Sequence, residues 1–299
     1  MMKEFLEAYK GNILEVTFGK EGKTLTLGGE NTLPFHSFEG NLPHPPLIAL
    51  EIWDIPPQTW PEHLRACFGD VVSSPVAWAK KCLEVYRADL VCLYLASAGR
   101  EEVDMAALAS RVKELSDTLP VPLIVYGVGE KDADARALKE IARACAGNAV
   151  LLGPVVKENY EEVGRAALEY GHRLIVQSPL DINLAKELNI KLSKFFPRER
   201  MVIDPLSSAL GYGMEYSFSV MERIKQVAVL YGDDTMKMPM IANVGRECWK
   251  TKEARGNAQQ GLLWEAITTL TLFLAGANLA VMSSPDSMQL VRRMITQMS

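Results

Sequence analysis

Eight short apolar runs recur along this chain of 299 residues: Leu47–Ile52, Leu90–Leu95, Val121–Tyr126, Ala149–Leu152, Leu174–Val176, Met201–Ile203, Met240–Ala242 and Leu279–Met282. Apolar residues in unbroken rather than alternating succession mean that both faces of a strand are covered, as in a parallel sheet. Each run is followed by a segment at helical spacing: Val76–Tyr86, Glu101–Thr118, Ala133–Ala146, Asn159–Tyr170, Leu180–Phe196, Tyr216–Tyr231, Gly261–Ala275 and Pro285–Met298. Eight strands each answered by a helix predict an α/β fold, a (β/α)8 TIM barrel. Upstream, Ile13–Phe18 alternates and meets Thr24–Leu27 across a Gly-bounded turn, the pattern of an N-terminal β-hairpin. The expected organisation is an extension over 1–46, whose hairpin covers the barrel bottom, and the barrel itself over 47–299.

Composition narrows the classes of function. A formal charge of -5 on a chain that is 48% hydrophobic and 23% charged fits a soluble protein with ample core, and it lacks the basic stripe that nucleic-acid backbones demand. No apolar run is long enough for a membrane span, and the acids at Glu4 and Glu7 do not suit a secretory signal; a cytoplasmic location is expected. Cys67, Cys82, Cys92, Cys145 and Cys248 are scattered, without the C-x-x-C spacing of a cluster or zinc site, so reduced and mostly buried thiols are expected. His36, His44, His63 and His172 are equally dispersed, and any metal chemistry would come from a bound group.

Barrels place their sites at the C-terminal mouth, so polar residues just beyond each strand carry the functional reading. The densest such stretch follows Met201–Ile203. Asp204 stands at the strand end because Pro205 cannot continue the ladder, and Gly211 and Gly213 flank Tyr212 in a loop that needs positive φ or close approach to a ligand. Ser178, Asp181 and Asn183 follow the fifth strand, and Asn243, Gly245, Arg246 and Glu247 the seventh. The mouth is rich in Ser, Asn, Asp and Gly but poor in His and Lys, with no Ser-His or Cys-His couple. Neutral donors and glycines suit the holding of a large planar ligand better than acid-base chemistry. Several residues have a second reading. Asp181 follows Pro179 where a helix begins, which is also where an N-cap belongs; Asp204 can end a strand by accepting backbone N–H groups. Gly127-x-Gly129 lacks the third glycine of a dinucleotide loop. Tyr216, Phe218 and Met221 sit at core spacing, and Met288, Met294 and Met298 suit either core packing or an adaptable surface.

Several long motifs, in one order, carry a resemblance. Asn31-Thr32-Leu33-Pro34-Phe35 with Phe38-Glu39-Gly40, Pro75-Val76-Ala77-Trp78-Ala79-Lys80-Lys81-Cys82, Ser178-Pro179-Leu180-Asp181-Ile182-Asn183, Ile203-Asp204-Pro205, Leu210-Gly211-Tyr212-Gly213 and Glu215-Tyr216-Ser217-Phe218-Ser219 resemble the corrinoid iron-sulfur protein small subunit, also called the acetyl-CoA decarbonylase/synthase complex delta subunit. The resemblance implies a barrel paired with a larger subunit that carries a [4Fe-4S] cluster and shares a cobamide with it. It further implies passage of a methyl group from methyltetrahydrofolate, by way of a methyltransferase, to CO dehydrogenase/acetyl-CoA synthase in the reductive acetyl-CoA (Wood-Ljungdahl) pathway. On this resemblance Ser178, Asp181, Asn183, Asp204, Gly211, Tyr212, Gly213, Asn243 and Gly245 are expected to line the corrinoid site. The segment Lys252–Gln260 is shorter than the corresponding loop of that family. The alternative on the same barrel is a pterin-dependent methyltransferase, with Asp54, Asn159, Asp204 and Asn243 reading the pterin.

Overall fold

In the computed structural model, which describes residues 7–100 and 102–298, the chain opens with an antiparallel hairpin of β1 (Val16–Phe18) and β2 (Leu25–Leu27). The eight apolar runs then form one parallel sheet: β3 (Leu47–Trp53), β4 (Leu90–Tyr94), β5 (Leu123–Tyr126), β6 (Leu151–Val155), β7 (Arg173–Gln177), β8 (Met201–Asp204), β9 (Ile241–Asn243) and β10 (Leu279–Met282). Neighbours pair in sequence order from β3 to β8, and β10 lies between β3 and β9. The circle closes between β8 and β9 through one bridge, Ile203 to Met240, with the Ile203 N–H donating to the Pro239 carbonyl at 2.8 Å.

The returning helices are α2 (Pro75–Glu84), α3 (Met105–Thr118), α4 (Lys131–Ala144), α5 (Tyr160–Tyr170), α6 (Ile182–Leu192), α7 (Met214–Val229), α10 (Ala258–Leu274) and α11 (Pro285–Met298). Short helices α1 (Glu62–Phe68), α8 (Gly245–Cys248) and α9 (Lys252–Gly256) decorate the loops beyond β3 and β9. Strand periodicity splits the apolar residues into two layers. Ala49, Cys92, Ile124, Leu151, Ile175 and Val202 face inward, while Leu50, Ile52, Val91 and Leu93 pack outward against the helices. Val16, Phe18 and Leu27 of the hairpin are buried in the inward layer, and the Gly19 N–H reaches the Ala149 carbonyl just ahead of β6 at 2.9 Å. The same end holds a buried ionic knot. Glu30 Oε1 accepts from Lys225 Nζ of α7 and, at 2.8 Å, from Asn278 Nδ2, while Asn278 Oδ1 accepts the Met240 N–H.

The strand and hairpin expectations hold within one or two residues at most ends. Two expectations are corrected. Tyr216, read as core, is 65% exposed at the start of α7, because the buried stripe of that helix runs through Ser217, Met221 and Ile224 instead. The segment Lys252–Gln260, read as a loop, is α9 followed by the first turn of α10, started by Thr251 and Asn257 side-chain caps. Met288 is core and Met294 exposed. Residues 1–6, Glu101 and Ser299, and the side chains of Phe35 and Met298, which the expected extension, helix start, barrel end, motif and Met-rich terminus include, lie outside the described set.

Candidate functional site

The floor of the mouth is built around one buried carboxylate. Glu51 shares the inward face of β3 with Ala49 and is fully buried. Its Oε1 accepts the Trp53 indole N–H at 2.8 Å and its Oε2 lies 2.8 Å from Arg246 Nε. Arg246 reaches in from α8, and its guanidinium carbon lies 4.1 Å from the Tyr94 ring centre and 4.5 Å from that of Tyr126, the last residues of β4 and β5. A buried charge survives only when paired, and here it is paired with a carboxylate and covered by two aromatic rings. Burial pushes the Glu51 carboxyl up and Arg246 pulls it back down. Arg246 Nε and Glu51 Oε2 are close enough for an ion pair but are not aligned for a hydrogen bond.

Asp204 forms the second centre. Burial raises its pKa, against hydrogen bonds that favour the carboxylate. Oδ2 accepts from the Tyr126 hydroxyl and from Gln177 Nε2 at 3.1 Å, and Oδ1 accepts the Leu206 N–H at 2.9 Å. That last bond holds Leu206 at φ +66°, a conformation L residues avoid and one that turns the chain across the mouth. Above these groups opens a cavity of about 640 Å³ bounded by Trp53, Tyr94, Tyr126, Gln177, Asn243 and Arg246. Asn243 is only 8% exposed, yet both amide atoms lack a partner, as does the hydroxyl of buried Ser207 on the same cavity. Buried polar atoms are normally satisfied, at about 1–3 kcal/mol each, so orphans mark a place where something else binds.

The residues singled out in the sequence are distributed unevenly. Asn243 lines the central cavity, and Asp204 lies buried behind its wall, bonded to the lining residues Tyr126, Gln177 and Leu206. Ser178, buried and with a free hydroxyl, lines an adjoining cavity of about 580 Å³ that shares Gln177 and Leu206 with it. Gly211 (φ +74°) and Gly213 (φ +102°) shape the rim, and Tyr212, half-exposed there, donates to Glu253 Oε2 at 2.8 Å. Asp181 is the N-cap of α6, accepting from the Asn183 and Leu184 N–H groups at 2.7 and 3.1 Å, and Asn183 is exposed in its first turn. Gly245 packs against the end of β10, where a Cβ would lie 2.3 Å from Ser283 Oγ. The Gly127-x-Gly129 loop already holds an anion of its own: Asp134 Oδ1 and Oδ2 accept the Val128 and Gly129 N–H groups at 2.8 and 2.9 Å. Burial lifts that carboxyl to about 6. Among the candidate pterin readers, Asp54 is bound to Ser97, Asp204 to Tyr126 and Gln177, and Asn159 Oδ1 to the Val156 N–H, leaving Asn159 Nδ2 and both amide atoms of Asn243 without a partner.

Glu51, Trp53, Tyr94 and Tyr126 escaped the sequence reading, and Arg246 was noted only by position. The signal was present: a lone Glu inside a seven-residue run of otherwise apolar residues, and Tyr closing two successive strands. Among the described residues neither His nor Cys lines the cavity. Buried Glu265 of α10, lifted by burial to about 7, instead accepts the Ser283 and Ser284 N–H groups and fixes the end of β10.

Comparison with known proteins places this architecture. Dihydropteroate synthase from Xanthomonas albilineans with 4-aminobenzoic acid superposes with a TM-score of 0.62 over 95% of this chain and 97% of that one, at 14% identity, which is a likeness of fold. The acetyl-CoA decarbonylase/synthase complex subunit delta of Methanopyrus kandleri is 33% identical over 94% of this chain and 72% of its own length. Its counterpart from Archaeoglobus fulgidus is 34% identical over 96% and 69%. With the family model for the CO dehydrogenase/acetyl-CoA synthase delta subunit matched across residues 15–296 as well, the chain belongs to that family.

Proposed function

We propose that this chain, barrel 47–299 with its 1–46 extension, is the small subunit of a cytoplasmic, heterodimeric corrinoid iron-sulfur methyl carrier. It pairs with the large subunit, which holds the [4Fe-4S] cluster, and the two share a cobamide over the barrel mouth. The methyl group comes from methyltetrahydrofolate through a corrinoid methyltransferase and goes on to CO dehydrogenase/acetyl-CoA synthase. The observation that carries this reading is the family membership joined to a mouth in which, among the described residues, neither His nor Cys lines the cavity and the amide of Asn243 and the hydroxyls of Ser207 and Ser178 are buried without partners.

The residues fit such a group. A corrin is a broad disc with an apolar rim bearing carboxamide arms. Leu206, Tyr212 and Tyr216 are 38%, 50% and 65% exposed around the mouth, a cluster of large apolar side chains that a free surface seldom keeps. The Ser178 hydroxyl, Asn183 and the backbone of Gly211 and Gly213 are placed to meet the arms, while Asp204 keeps Leu206 and Gln177 in position. Asp181 contributes by fixing the turn that carries Asn183, and Gly245 by letting α8 bring Arg246 inward. The bound cobamide supplies the methyl-carrying chemistry; the chain supplies orientation and shielding from water.

Co-expression with the large subunit tests this directly. A stable complex carrying cobalt and a corrinoid absorption spectrum is expected. Gly211→Val forces a β-branched residue to φ +74° in open space, so it displaces the rim without clashing with the barrel. Corrinoid content should fall while the circular dichroism of the chain is retained, and unchanged content would reject this rim as the site. Incubated alone with methyltetrahydrofolate and cob(I)alamin, the chain should form no methylcobalamin above background; turnover would favour the methyltransferase.

A further inference from the structure

The side cavity of about 580 Å³ that Ser178 lines has walls of two kinds. Val156, Pro179, Leu184, Leu188 and Leu206 are apolar, while Lys131, Lys157 and Lys191 bring three ammoniums against the carboxylates of Glu158 and Glu187. One of those carboxylates is shared: Glu187 Oε1 lies 2.6 Å from Lys191 Nζ and 3.4 Å from Lys157 Nζ. Lys131 has no carboxylate partner among the described residues. Three ammoniums less two carboxylates leave one net positive charge here, on a chain whose formal charge is -5. Ser178 is only 4% exposed and its hydroxyl has no partner. A hydroxyl has one proton to give and two lone pairs, so it can donate to an anion and still accept from a corrin arm. The cavity lies beyond β5, β6 and β7, away from the last two barrel strands, where phosphate sites commonly stand. We infer that this side cavity binds a singly charged oxyanion, a carboxylate or a phosphodiester, carried on an apolar body. The Ser178 hydroxyl and the lysines meet the charge, and the leucine wall takes the body. Two sources share this chemistry: a free organic acid, and the phosphodiester in the nucleotide tail of a cobamide. The inference goes beyond the cobamide reading and stands without it.

Two variants probe the site without breaking a structural bond. Ser178→Ala removes a hydroxyl that has no partner within the protein. Lys131 opens α4, where the helix dipole favours an acid, so Lys131→Glu takes the cavity from one net positive charge to one net negative and leaves the helix sound. The test is calorimetric titration of the purified full chain with diphenyl phosphate, benzoate and neutral benzamide, with thermal melting of each variant as a folding control. At least one of the two anions is expected to bind below about 1 mM, and benzamide roughly tenfold more weakly or worse. Ser178→Ala and Lys131→Glu should each weaken anion binding roughly tenfold. The inference is overturned if neither anion binds wild type up to about 1 mM, if benzamide binds as tightly, or if either variant keeps wild-type affinity. Retention of cobalamin and of cobinamide, which lacks the phosphodiester, by the heterodimer separates the two sources. Loss of cobalamin alone from Lys131→Glu identifies the tail as the occupant, and retention of both identifies a free acid. Equal loss of both overturns the inference, because Lys131 then acts on the corrin rather than on an anion. Anion binding by a chain whose heterodimer holds no cobamide would reject the cobamide reading alone, and normal cobamide retention without anion binding would reject this inference alone.

Discussion

The two ends of the barrel spend polar groups differently. At the N-terminal end Glu30, Lys225 and Asn278 form a knot in which one carboxylate oxygen takes two donors, and the hairpin packs Val16, Phe18 and Leu27 into the inward layer. At the C-terminal end Asn243, Ser207 and Ser178 are buried with nothing to bond. Unsatisfied buried groups lower stability, and satisfied ones specify structure. Glu30 Oε2 is the one orphan of the knot, whose charges are otherwise paired, so the N-terminal end reads as built for the fold and the cavity-lining orphans of the other end as built for a visitor.

The largest effect should come from breaking the knot. Glu30→Ala leaves the Lys225 ammonium buried and unpaired beneath Gly276, and a loss of about 3–5 kcal/mol is expected by urea denaturation. A loss below 1 kcal/mol would erase the contrast between the two ends. Glu265 provides the next test, because its carboxyl titrates at about 7 in the fold against 4.5 ordinarily. Between those values the folded chain keeps a proton that the unfolded chain has released, so this group makes stability fall as pH rises through the window. Measured from pH 4.5 to 7, wild type should lose on the order of 3 kcal/mol more than Glu265→Gln; parallel profiles would show that Glu265 titrates normally. The smallest effect belongs to Asp181→Ala, which removes the α6 cap at a cost of about 1 kcal/mol. Corrinoid content should fall by less than in Gly211→Val, and a loss as large as in that variant would show that Asp181 does more than cap the helix.

The barrel was legible because strands covered on both faces carry their own signature, and the hairpin because its residues alternate around a glycine turn. Asp204 was legible because proline marks the strand end. What stayed hidden was pairing between distant elements. Glu51 and Arg246 are 195 positions apart in number, and nothing local says that a charge inside β3 will meet a guanidinium from α8. Asp181 was read as a lining residue with capping as its alternative, and its local bonds are those of a cap; pattern alone cannot say whether a side chain turns inward or toward its own backbone. Tyr216 went astray for a similar reason, since helical spacing defines a stripe but not which stripe the sheet covers.

The hairpin packed into the inward layer has a kinetic corollary. With side chains of the hairpin and the inward layer filling the lower half of the barrel, the described residues leave the upper chamber open on the side of Leu206. If the proposed large subunit docks over that opening, it sets the residence time of a molecule beneath it, and exchange should proceed at the pace of subunit separation rather than of the chamber's own affinity.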